Sequence, residues 1–371
     1  MKKIKVCHLT TAHSSHDIRI LKKECVSLAN NGFDVTLIAP NCKEEVIEGV
    51  NIQSLNIKVT GRFSRFFKVA KKLYEKALVL NADIYHFHDP DFMFYGVKLI
   101  RKNKKVIYDI HEDYPLNILE KHWIPKILRP LVSFIYSEIE KYSIKKYTAL
   151  ISVTPQIISR IKKTNPNTFL VTNYPILKKD FEDFNIDLNS KKFIFAGVVE
   201  PLRMIHVLVE AMDMIPNEAS FVLAGDGTSE YFEELAKLTS WNKVDYKGRI
   251  PFEDVISYYK KSLFGVVIED YNLINYNDEG SLGVTKLFEY MMLGLPFIAT
   301  DFTLHKEIID KHQCAITVNP RDKDEVIKAL NYMYNNPNEI KKMGERGRKA
   351  VKEIYNWNTQ EKELLRLYTS L

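Results

Sequence analysis

The chain has 371 residues, a length that predicts two domains of ordinary size and a large hydrophobic core. Hydrophobic residues make up 46% of it and charged residues 27%, which excludes intrinsic disorder as the main state. The net charge of +6 is unevenly spread, because residues 1–174 carry 28 Lys and Arg against 16 Asp and Glu, whereas residues 175–371 carry 25 against 31. The basic first half predicts an anionic partner, such as a membrane surface, a phosphorylated acceptor or nucleic acid.

Cysteine usage and the N-terminus indicate a reducing cytoplasm. The four cysteines include no CxxC pair and have no histidine at zinc spacing, so neither a disulfide framework nor a structural zinc site is expected. Residues 1–3 lead directly into a strand-like run, which argues against a signal peptide. The longest apolar candidate, Tyr290 to Thr300, is too short for a membrane helix and contains a glycine and a proline. Any membrane contact is therefore expected to be peripheral.

Short apolar, β-branched runs alternate with segments of helical period along the whole chain, a pattern typical of parallel sheets wound with helices. In the first half the predicted strands are Ile4 to Leu9, Val35 to Ala39, Ile84 to Phe87, Val106 to Ile110 and Ala149 to Val153. In the second half they are Phe193 to Ala196, Phe221 to Ala224, Val244 to Tyr246, Phe264 to Ile268, Pro296 to Thr300 and Ala315 to Val318. The predicted domains are residues 1–174 and 175–355, followed by a terminal helix over residues 356–371. The expected fold is α/β, with two doubly wound domains and a ligand site at the carboxyl ends of their strands.

Two segments of the first half combine basic and apolar side chains. Residues 62–76, RFSRFFKVAKKLYEK, interleave phenylalanines with Arg and Lys, and residues 117–146 repeat this pattern around Trp123. Basic amphipathic helices of this kind bind anionic bilayers. Ordinary domain helices with solvated basic faces show the same spacing, so both interpretations stay open. Nucleic acid is disfavoured as a partner, because no helix-turn-helix, RNP-type or zinc-finger pattern accompanies the charge.

Polar side chains in the first half gather at the predicted strand ends. His8, His86, His88, Asp89 and the run Asp109 to Glu112 all lie in or directly after strands. A single histidine at such a position is usually a hydrogen-bonded structural residue, but several histidines from different strands indicate a functional site.

A loop in the second half runs from Gly280 to Val284 and leads into a predicted helix beginning near Thr285. Backbone N–H groups at such a helix start form an anion site, to which Thr285 and Lys286 add a hydroxyl and a positive charge. This arrangement suits a diphosphate. Glu289, one turn further on, is placed to accept hydrogen bonds from a ribose diol, although a surface carboxylate paired with a lysine is the alternative.

Four motifs together resemble the family 4 glycosyltransferases. The run KLFEYMMLGLPFIATD, residues 286–301, is similar to the family's donor-site helix and the turn that follows it. Three runs of the first half resemble a branch with HDP and DxHE motifs from bacterial surface-polysaccharide pathways. They are HSSHDIRILKKECVSLANNGFDVTLIAP, YHFHDPD and VIYDIHEDYP.

This resemblance implies the GT-B fold, in which two Rossmann-like domains face each other across a cleft and the terminal helix packs back on the first domain. The first domain would bind a glycan or polyprenyl-linked acceptor for capsule or lipopolysaccharide, and the second a nucleoside diphosphate sugar, most often a UDP-sugar. The reaction implied is a retaining transfer of a hexosyl or N-acetylhexosaminyl group. It would need no metal and no cofactor besides the sugar nucleotide, and the enzyme would lie in the cytoplasm, peripheral on the inner face of the cell membrane.

The family's donor-binding residues are only partly present at the matching positions. Gly197 is followed by Val198 where the family often has Arg, whereas Arg203 retains the second phosphate cation in kind. Lys286 is expected to supply the missing charge, and an arginine can grip a phosphate bidentately. The residues that match the loops holding the base are Gly225, Gly227 and Arg249. Glycines in such loops also serve purely conformational purposes.

The paired glutamates of the family are the second departure. Glu289 matches the second of them, but Ser281 stands at the first position, and serine can neither act as a carboxylate nucleophile nor stabilise an oxocarbenium charge as glutamate does. Glu279 and Asp278 lie just upstream and are candidates for that role, although a loop carboxylate is more often simply solvated. The rest of the predicted donor loop is Gly283, Val284 and Thr285.

His111 is the main catalytic candidate, because it follows a strand at the expected cleft and matches the histidine that contacts the donor sugar in the family. Asp109 and Glu112 are expected to orient its imidazole. After the first strand the family has a glycine-rich loop, where this chain has polar side chains instead. The residues predicted to contact the acceptor or line the cleft are His16, Asp17, Arg19, His88 and Asp89.

Two other functions stay open from the sequence. A nucleotide-sugar 2-epimerase shares the two-domain fold, but the LFEYMMLGLP run and the basic first half argue against it. A non-catalytic nucleotide-sugar binding module is favoured by Ser281 and Val198, at which the family's functional residues are missing.

Overall fold

The computed structural model describes residues 3–57, 59, 61, 64–121, 123–177 and 184–371. The chain divides into two compact units, Met1–Asn173 with Trp357–Leu371, and Tyr174–Asn356. These divisions lie one residue from the predicted ones after residues 174 and 355. Each unit contains one sheet whose strands alternate with helices.

The first unit is built on a sheet of short apolar strands. They are β1 (Lys5–Leu9), β2 (Asp34–Ala39), β3 (Glu45–Ile47), β4 (Val50–Ser54), β5 (Ile84–Phe87), β6 (Lys105–Ile110), β7 (Ala149–Ser152) and β8 (Thr168–Leu170). Over the described residues their order is β3-β4-β2-β1-β5-β6-β7-β8, and all neighbours are parallel except β3 and β4. The order reverses beside β1, so the carboxyl ends of β1 and β5 are where such a sheet places its ligand crevice.

The helices of the first unit are α1 (Val26–Asn30), α2 (Ala70–Leu80), α3 (Met93–Ile100), α4 (Tyr114–Glu120), α5 (Arg129–Ile144), α6 (Pro155–Ile161) and the terminal helix α14 (Trp357–Ser370). π-helical segments, Ile18–Cys25 and Arg65–Val69, lead into α1 and α2, and 3₁₀ turns occur at Pro90–Phe92 and Lys126–Leu128. Because a π-helix bonds residues five apart, Arg19 and Glu24 lie on the same side of the first segment. Both side chains are buried.

The terminal helix α14 packs within the first unit. Trp357 Nε1 donates to Ser27 Oγ at 2.9 Å, and the Tyr368 hydroxyl lies 2.8 Å from His86 Nδ1. Buried Trp and Tyr side chains need such partners for their polar atoms. These contacts fix both ends of the helix against the interior of that unit.

The second unit repeats the architecture. Its strands are β9 (Lys192–Ala196), β10 (Ser220–Ala224), β11 (Val244–Gly248), β12 (Phe264–Val267), β13 (Phe297–Thr300) and β14 (Ala315–Val318). Its helices are α7 (Ile205–Ala211), α8 (Ser229–Ala236), α9 (Phe252–Lys260), α10 (Thr285–Leu293), α11 (Thr303–His312), α12 (Lys323–Asn335) and α13 (Pro337–Glu353). The strand order over the described residues is β11-β10-β9-β12-β13-β14, parallel throughout. The order reverses at β9, whose carboxyl end leads to Gly197.

The predicted α/β fold class with two Rossmann-like sheets is confirmed, and each predicted strand is present. Three short strands were not predicted: β3, β4 and β8. β3 and β8 are three residues long at the two edges of the sheet, and β4 alternates apolar and polar residues, so none of them shows the apolar run of the central strands. Among the described residues, no helix is both long and apolar enough to cross a bilayer.

Candidate functional site

A cavity of about 770 Å³ opens at the carboxyl ends of β9, β10 and β11 in the second unit. Parallel α/β sheets place ligands at this position. The predicted donor residues that line it are Gly197, Gly225, Gly227, Arg249, Thr285, Lys286 and Glu289. Residues that the sequence did not single out also line it, among them Glu200, Thr228, Val255 and Tyr259. No short motif joins these residues, because they come from different loops and helices.

The loops after the three strands are tied together by their backbones. Gly197 N donates to Ala224 O and Gly225 N to Gly248 O, both at 2.8 Å. At Gly225, where φ is +141°, an added Cβ would come within 1.7 Å of the Gly197 carbonyl oxygen. Glycine is therefore required there by the close approach of two backbones. The close approach of the two backbones is therefore enough to explain why residue 225 is glycine, whether or not this loop binds a ligand.

Lys286, in the first turn of α10, presents a half-buried cation to the cavity. Its Nζ lies 4.9 Å from the centroid of the Phe195 ring and beside Gly197, where a side chain would overlap it. Burial, aided by the nearby charge of Arg203, lowers the pKa of Lys286 to about 8. Within the described part of the chain, no carboxylate lies within 4 Å of this ammonium. The ammonium can therefore accept an anionic ligand without first breaking an ion pair.

Arg203, the other predicted phosphate cation, is engaged elsewhere in the second unit. Its Nε lies 3.2 Å from Glu200 Oε1, and its Nη1 makes an ion pair with Glu269. It is absent from the described residues that line the cavity. The prediction that Arg203 holds a phosphate therefore requires it to leave these carboxylates when a ligand binds.

The loop before α10 is held by its own hydrogen bonds. Ser281 Oγ accepts from Gly283 N at 3.0 Å, and His305 Nε2 lies 3.0 Å from the Ser281 carbonyl oxygen. Ser281, Gly283 and Val284, all predicted for donor binding, are not among the described residues of the cavity wall. Glu279 is exposed and equally outside that wall, so the prediction that it replaces the missing glutamate finds no support in its position.

His111 and Asp109 form the centre of the candidate site in the first unit. Asp109 Oδ2 lies 2.6 Å from His111 Nε2 and 3.2 Å from His88 Nδ1. Arg19 donates to both Asp109 oxygens at 2.9 Å, so the carboxylate is gripped bidentately. Burial alone would raise the pKa of Asp109, but the charges of Arg19 and His111 hold it well below its usual range. Arg19, His88 and His111, which were all predicted, thus converge on the ionised carboxylate of Asp109.

Glu112 does not orient His111 as predicted. It accepts a hydrogen bond from Asn117 Nδ2 at 2.7 Å, because α4 begins two residues later and turns Asn117 back towards it. Asp109 alone takes the predicted orienting role.

The loop after β1 carries the other predicted cleft residues. Asp17 caps the π-helical segment by accepting from Ile20 N at 2.9 Å, and it pairs with His13 at 3.5 Å. Asp89 accepts from Thr10 Oγ1 at 2.7 Å and from Thr11 N at 2.8 Å, so it anchors the start of this loop.

A second cavity, of about 590 Å³, lies beside this loop in the first unit. His16 and His13 line it together with residues after β2. The His16 side chain is 55% exposed and lies 3.5 Å from Glu45, so it does not join the Asp109 cluster. His13 was not predicted, although its ring centroid lies 5.2 Å from that of His111.

The Asp109 cluster continues into a buried polar core that the sequence revealed only in part. His8 Nδ1 lies 3.0 Å from His88 Nε2, and Arg19 Nη2 lies 3.1 Å from Glu24 Oε1. Burial and the charge of Asp109 raise the pKa of Glu24 well above its usual range. Glu24 and Tyr368 were missed. Glu24 lies five residues after Arg19. Side chains at this spacing come together in a π-helix, which the sequence pattern did not indicate.

One face of the first unit exposes large apolar side chains around the start of α5. They are Trp123, Ile127, Leu128, Leu131, Phe134 and Ile135, and Ile127 is 87% exposed. Lys121, Lys126 and Arg129 lie in the same stretch. In the other predicted basic segment, Phe66 and Phe67 are exposed, while Arg62 and Phe63 lie outside the described residues. We call residues 123–135 the apolar face.

Comparisons with known proteins cover both halves of the chain. Residues 20–168 match the model described as Glycosyltransferase Family 4, and residues 178–350 match Glycosyl transferases group 1. D-rhamnosyltransferase WbpZ of Pseudomonas aeruginosa is 22% identical over 312 residues, which are 81% of this chain and 76% of that protein.

Two solved structures show the same fold. Sucrose-phosphate synthase of Thermosynechococcus elongatus has a TM-score of 0.77 at 16% identity, over 99% of both chains. HepE of Anabaena in complex with UDP-glucose has a TM-score of 0.71 at 11% identity, over 99% of this chain and 100% of the other.

Proposed function

Because the chain belongs to the glycosyltransferases of the GT-B type, with a family 4 first half and a group 1 second half, we propose that it moves a sugar from a nucleoside diphosphate sugar to a glycan or lipid-linked acceptor. The observation that carries this proposal is the half-buried ammonium of Lys286 at the wall of the second unit's cavity, with its pKa lowered by partial desolvation. A desolvated cation at a helix start is a strong site for a diphosphate.

We assign each part of the donor to a part of the cavity wall. The diphosphate takes the first turn of α10, with Thr285 and Lys286, and the ribose takes Glu289 one turn further on. The base takes the loops after β10 and β11, beside Arg249. A UDP-sugar is favoured because HepE, which shares the fold, was solved with UDP-glucose. A hexosyl group is proposed because WbpZ transfers D-rhamnose, a deoxyhexose, whereas an N-acetylhexosaminyl group is proposed from the resemblance to family 4 alone.

We propose that transfer retains the configuration of the sugar, as the resemblance to family 4 implies. In this proposal Asp109, whose Oδ2 lies 2.6 Å from His111 Nε2, holds the imidazole ring while His111 contacts the donor sugar. A histidine fixed in this way stabilises charge that develops as the glycosidic bond breaks. In this proposal the leaving diphosphate is stabilised by Lys286 and the α10 start, and no metal or cofactor acts at the reacting sugar.

We assign the acceptor to the first unit and propose that this unit touches an anionic membrane from the inner side of the cell. Its basic charge and the apolar face support both assignments. We propose that the chain belongs to the branch that builds bacterial surface polysaccharide, such as capsule or lipopolysaccharide, because its HDP and DxHE motifs resemble those of that branch. Nucleic acid is not proposed as a partner.

A thermal-shift screen of nucleoside diphosphates and their sugars tests this function, because a ligand of the folded state raises the melting temperature. We expect UDP to stabilise the wild type and Glu289→Ala to lose that shift, while Glu307→Ala on α11 keeps it. No shift with any nucleotide would contradict the proposal. Ser281 and Val198 also favour a non-catalytic binding module, which would bind UDP-sugar but release no UDP from it on prolonged incubation.

A further inference from the structure

A group of four metal-ligating side chains is enclosed in the core of the first unit. His8, Glu24, His86 and His88 each offer one ligand atom, and these four atoms all lie within 4.8 Å of one another. The ring nitrogens that face Glu24 Oε2 are His8 Nδ1, His86 Nδ1 and His88 Nε2. All four residues are fully or almost fully buried. They come from β1, the π-helical segment, the end of β5 and the residue that follows it.

Of the four candidate ligand atoms, Glu24 Oε2 lacks a hydrogen bond among the described residues, while His8 Nδ1 and His88 Nε2 lie 3.0 Å apart and His86 Nδ1 lies 2.8 Å from the Tyr368 hydroxyl. Glu24 Oε2 lies 4.0 Å from His8 Nδ1, 3.8 Å from His86 Nδ1 and 4.0 Å from His88 Nε2, too far for a hydrogen bond to any of them. Glu24 Oε1 forms an ion pair with Arg19 Nη2 at 3.1 Å, whereas Glu24 Oε2 is buried and has no hydrogen-bond partner in the described part of the chain. A buried carboxylate oxygen that faces three ring nitrogens without a hydrogen bond is satisfied by a shared proton or by a cation between the groups.

The separations suit a small cation. A tetrahedral ion with bonds of about 2.0–2.1 Å holds its ligand atoms about 3.3–3.4 Å apart. Here the separations include 3.0 Å between His8 Nδ1 and His88 Nε2 and 3.8–4.0 Å to Glu24. We propose that His8, Glu24, His86 and His88 bind a divalent transition-metal ion such as Zn²⁺.

The surroundings orient the imidazoles as metal sites require. Asp109 holds the other ring nitrogen of His88 at 3.2 Å, and the Tyr368 hydroxyl lies 3.4 Å from the other ring nitrogen of His8. Carboxylate and hydroxyl partners of this kind fix the ring and its tautomer in metal sites. Tyr368 also lies 2.8 Å from His86 Nδ1, and coordination replaces that hydrogen bond.

The ligand set also defines the class of ion and its role. Three imidazoles and one carboxylate favour Zn²⁺, Co²⁺ or Fe²⁺ over Mg²⁺ or Ca²⁺, which prefer oxygen ligands. Four protein ligands in a closed interior leave no position for substrate, so the ion is structural. It joins β1, β5 and the π-helical segment, and through Tyr368 it supports α14. Cysteine spacing could not indicate this site because its ligands are histidine and glutamate.

Metal analysis of the full chain, purified without a tag and without chelator, tests the proposal. We expect one equivalent of a transition metal in the wild type and in His305→Gln, a buried histidine of the second unit, but not in Glu24→Gln. Removing the metal with dipicolinate should lower the melting temperature, and Zn²⁺ should restore it. Co²⁺ added to the apoprotein should give the visible absorption of a tetrahedral site, a readout that needs no variant to fold. A metal-poor wild type with no response to Zn²⁺ or Co²⁺ would overturn the proposal and leave a metal-free hydrogen-bonded core.

Discussion

Lys286 shows how the surroundings of one residue tune its affinity for a ligand. The ammonium form is the one that binds phosphate, and in the free protein burial brings its pKa to about 8. Phosphate binding favours the charged form and raises that pKa, so a proton is taken up on binding as the pH exceeds 8.

We therefore expect the affinity of the wild type for UDP to be constant between pH 7 and the pKa of about 8, and to fall as the pH rises beyond it. Calorimetric titrations in buffers of different ionisation enthalpy would report both the affinity and the proton uptake. A flat affinity up to pH 9.5 would show that Lys286 does not hold the diphosphate.

Asp109 is expected to be the most sensitive charged residue of the first unit. Asp109→Asn leaves the buried Arg19 without its bidentate partner, and breaking a buried ion pair in this way costs about 3–5 kcal/mol. Because the folded-state pKa of Asp109 is depressed, its contribution is full above the unfolded-state pKa of about 3.9 and is lost as the pH falls.

Urea unfolding at pH 7 and at about pH 3 measures this effect, because the contribution of Asp109 is full at pH 7 and is reduced below the unfolded-state pKa of about 3.9. Asp310→Asn is the matched control, because Asp310 pairs with Lys306 on the surface, where such pairs contribute about 0.3–0.5 kcal/mol. Equal unfolding free energies for the two variants would contradict the role given to Asp109.

At the scale of residues, the sequence indicated side chains that follow a strand or begin a helix. Lys286 and Glu289 share a helix start, and Asp109 and His111 follow one strand, so local pattern places each pair. Tyr368 was missed because it reaches the His86 ring across 282 positions of sequence, which no local pattern encodes. Ser281 was assigned by family position and Glu279 because it lies just upstream, and neither is among the described residues that line the cavity.

At the scale of elements, packing within the first unit does not explain the exposed apolar side chains of α5 and of the turn before it. Ile127, Leu131 and Phe134 recur at helical spacing and are each more than half exposed. Soluble surfaces rarely leave such residues grouped together without a partner.

We expect the chain to float with vesicles of anionic lipid. The triple variant Ile127→Asp, Leu131→Asp, Phe134→Asp should bind these vesicles more than about tenfold more weakly, because each apolar side chain buried in the bilayer contributes about 1.5–3 kcal/mol. Val79→Asp is the control, since Val79 is 85% exposed on α2, away from this group in sequence. Unchanged flotation of the triple variant would mean that the apolar face does not meet the bilayer.

The central strands could be predicted from the sequence, because parallel strands that are buried on both faces form short apolar runs that differ from the helical pattern between them. The β3–β4 hairpin could not, since β3 is a three-residue strand at the edge of the sheet and β4 alternates apolar and polar residues. The two π-helical segments were not predicted either, because their hydrophobic pattern resembles that of an α-helix.

At the scale of the whole molecule, the charge division and the two units coincide in sequence. The basic residues 1–174 build most of the unit with the apolar face, and the acidic second half contains the cavity with Lys286. An acidic unit that binds a diphosphate needs a local concentration of positive charge, and the first turn of α10 supplies it. The family and the fold were predictable because motifs in both halves of the chain match the family. The donor sugar and the acceptor were not predictable, since a few loop side chains determine this specificity.

Calorimetric titration of UDP into the full chain at pH 7 tests the central claim most directly. We predict binding by the wild type and by Lys306→Met, and an affinity about 10- to 100-fold weaker for Lys286→Met, because a hydrogen bond to a charged partner contributes about 1.5–3 kcal/mol. Wild-type affinity in a folded Lys286→Met variant would contradict the assignment of the donor to this cavity.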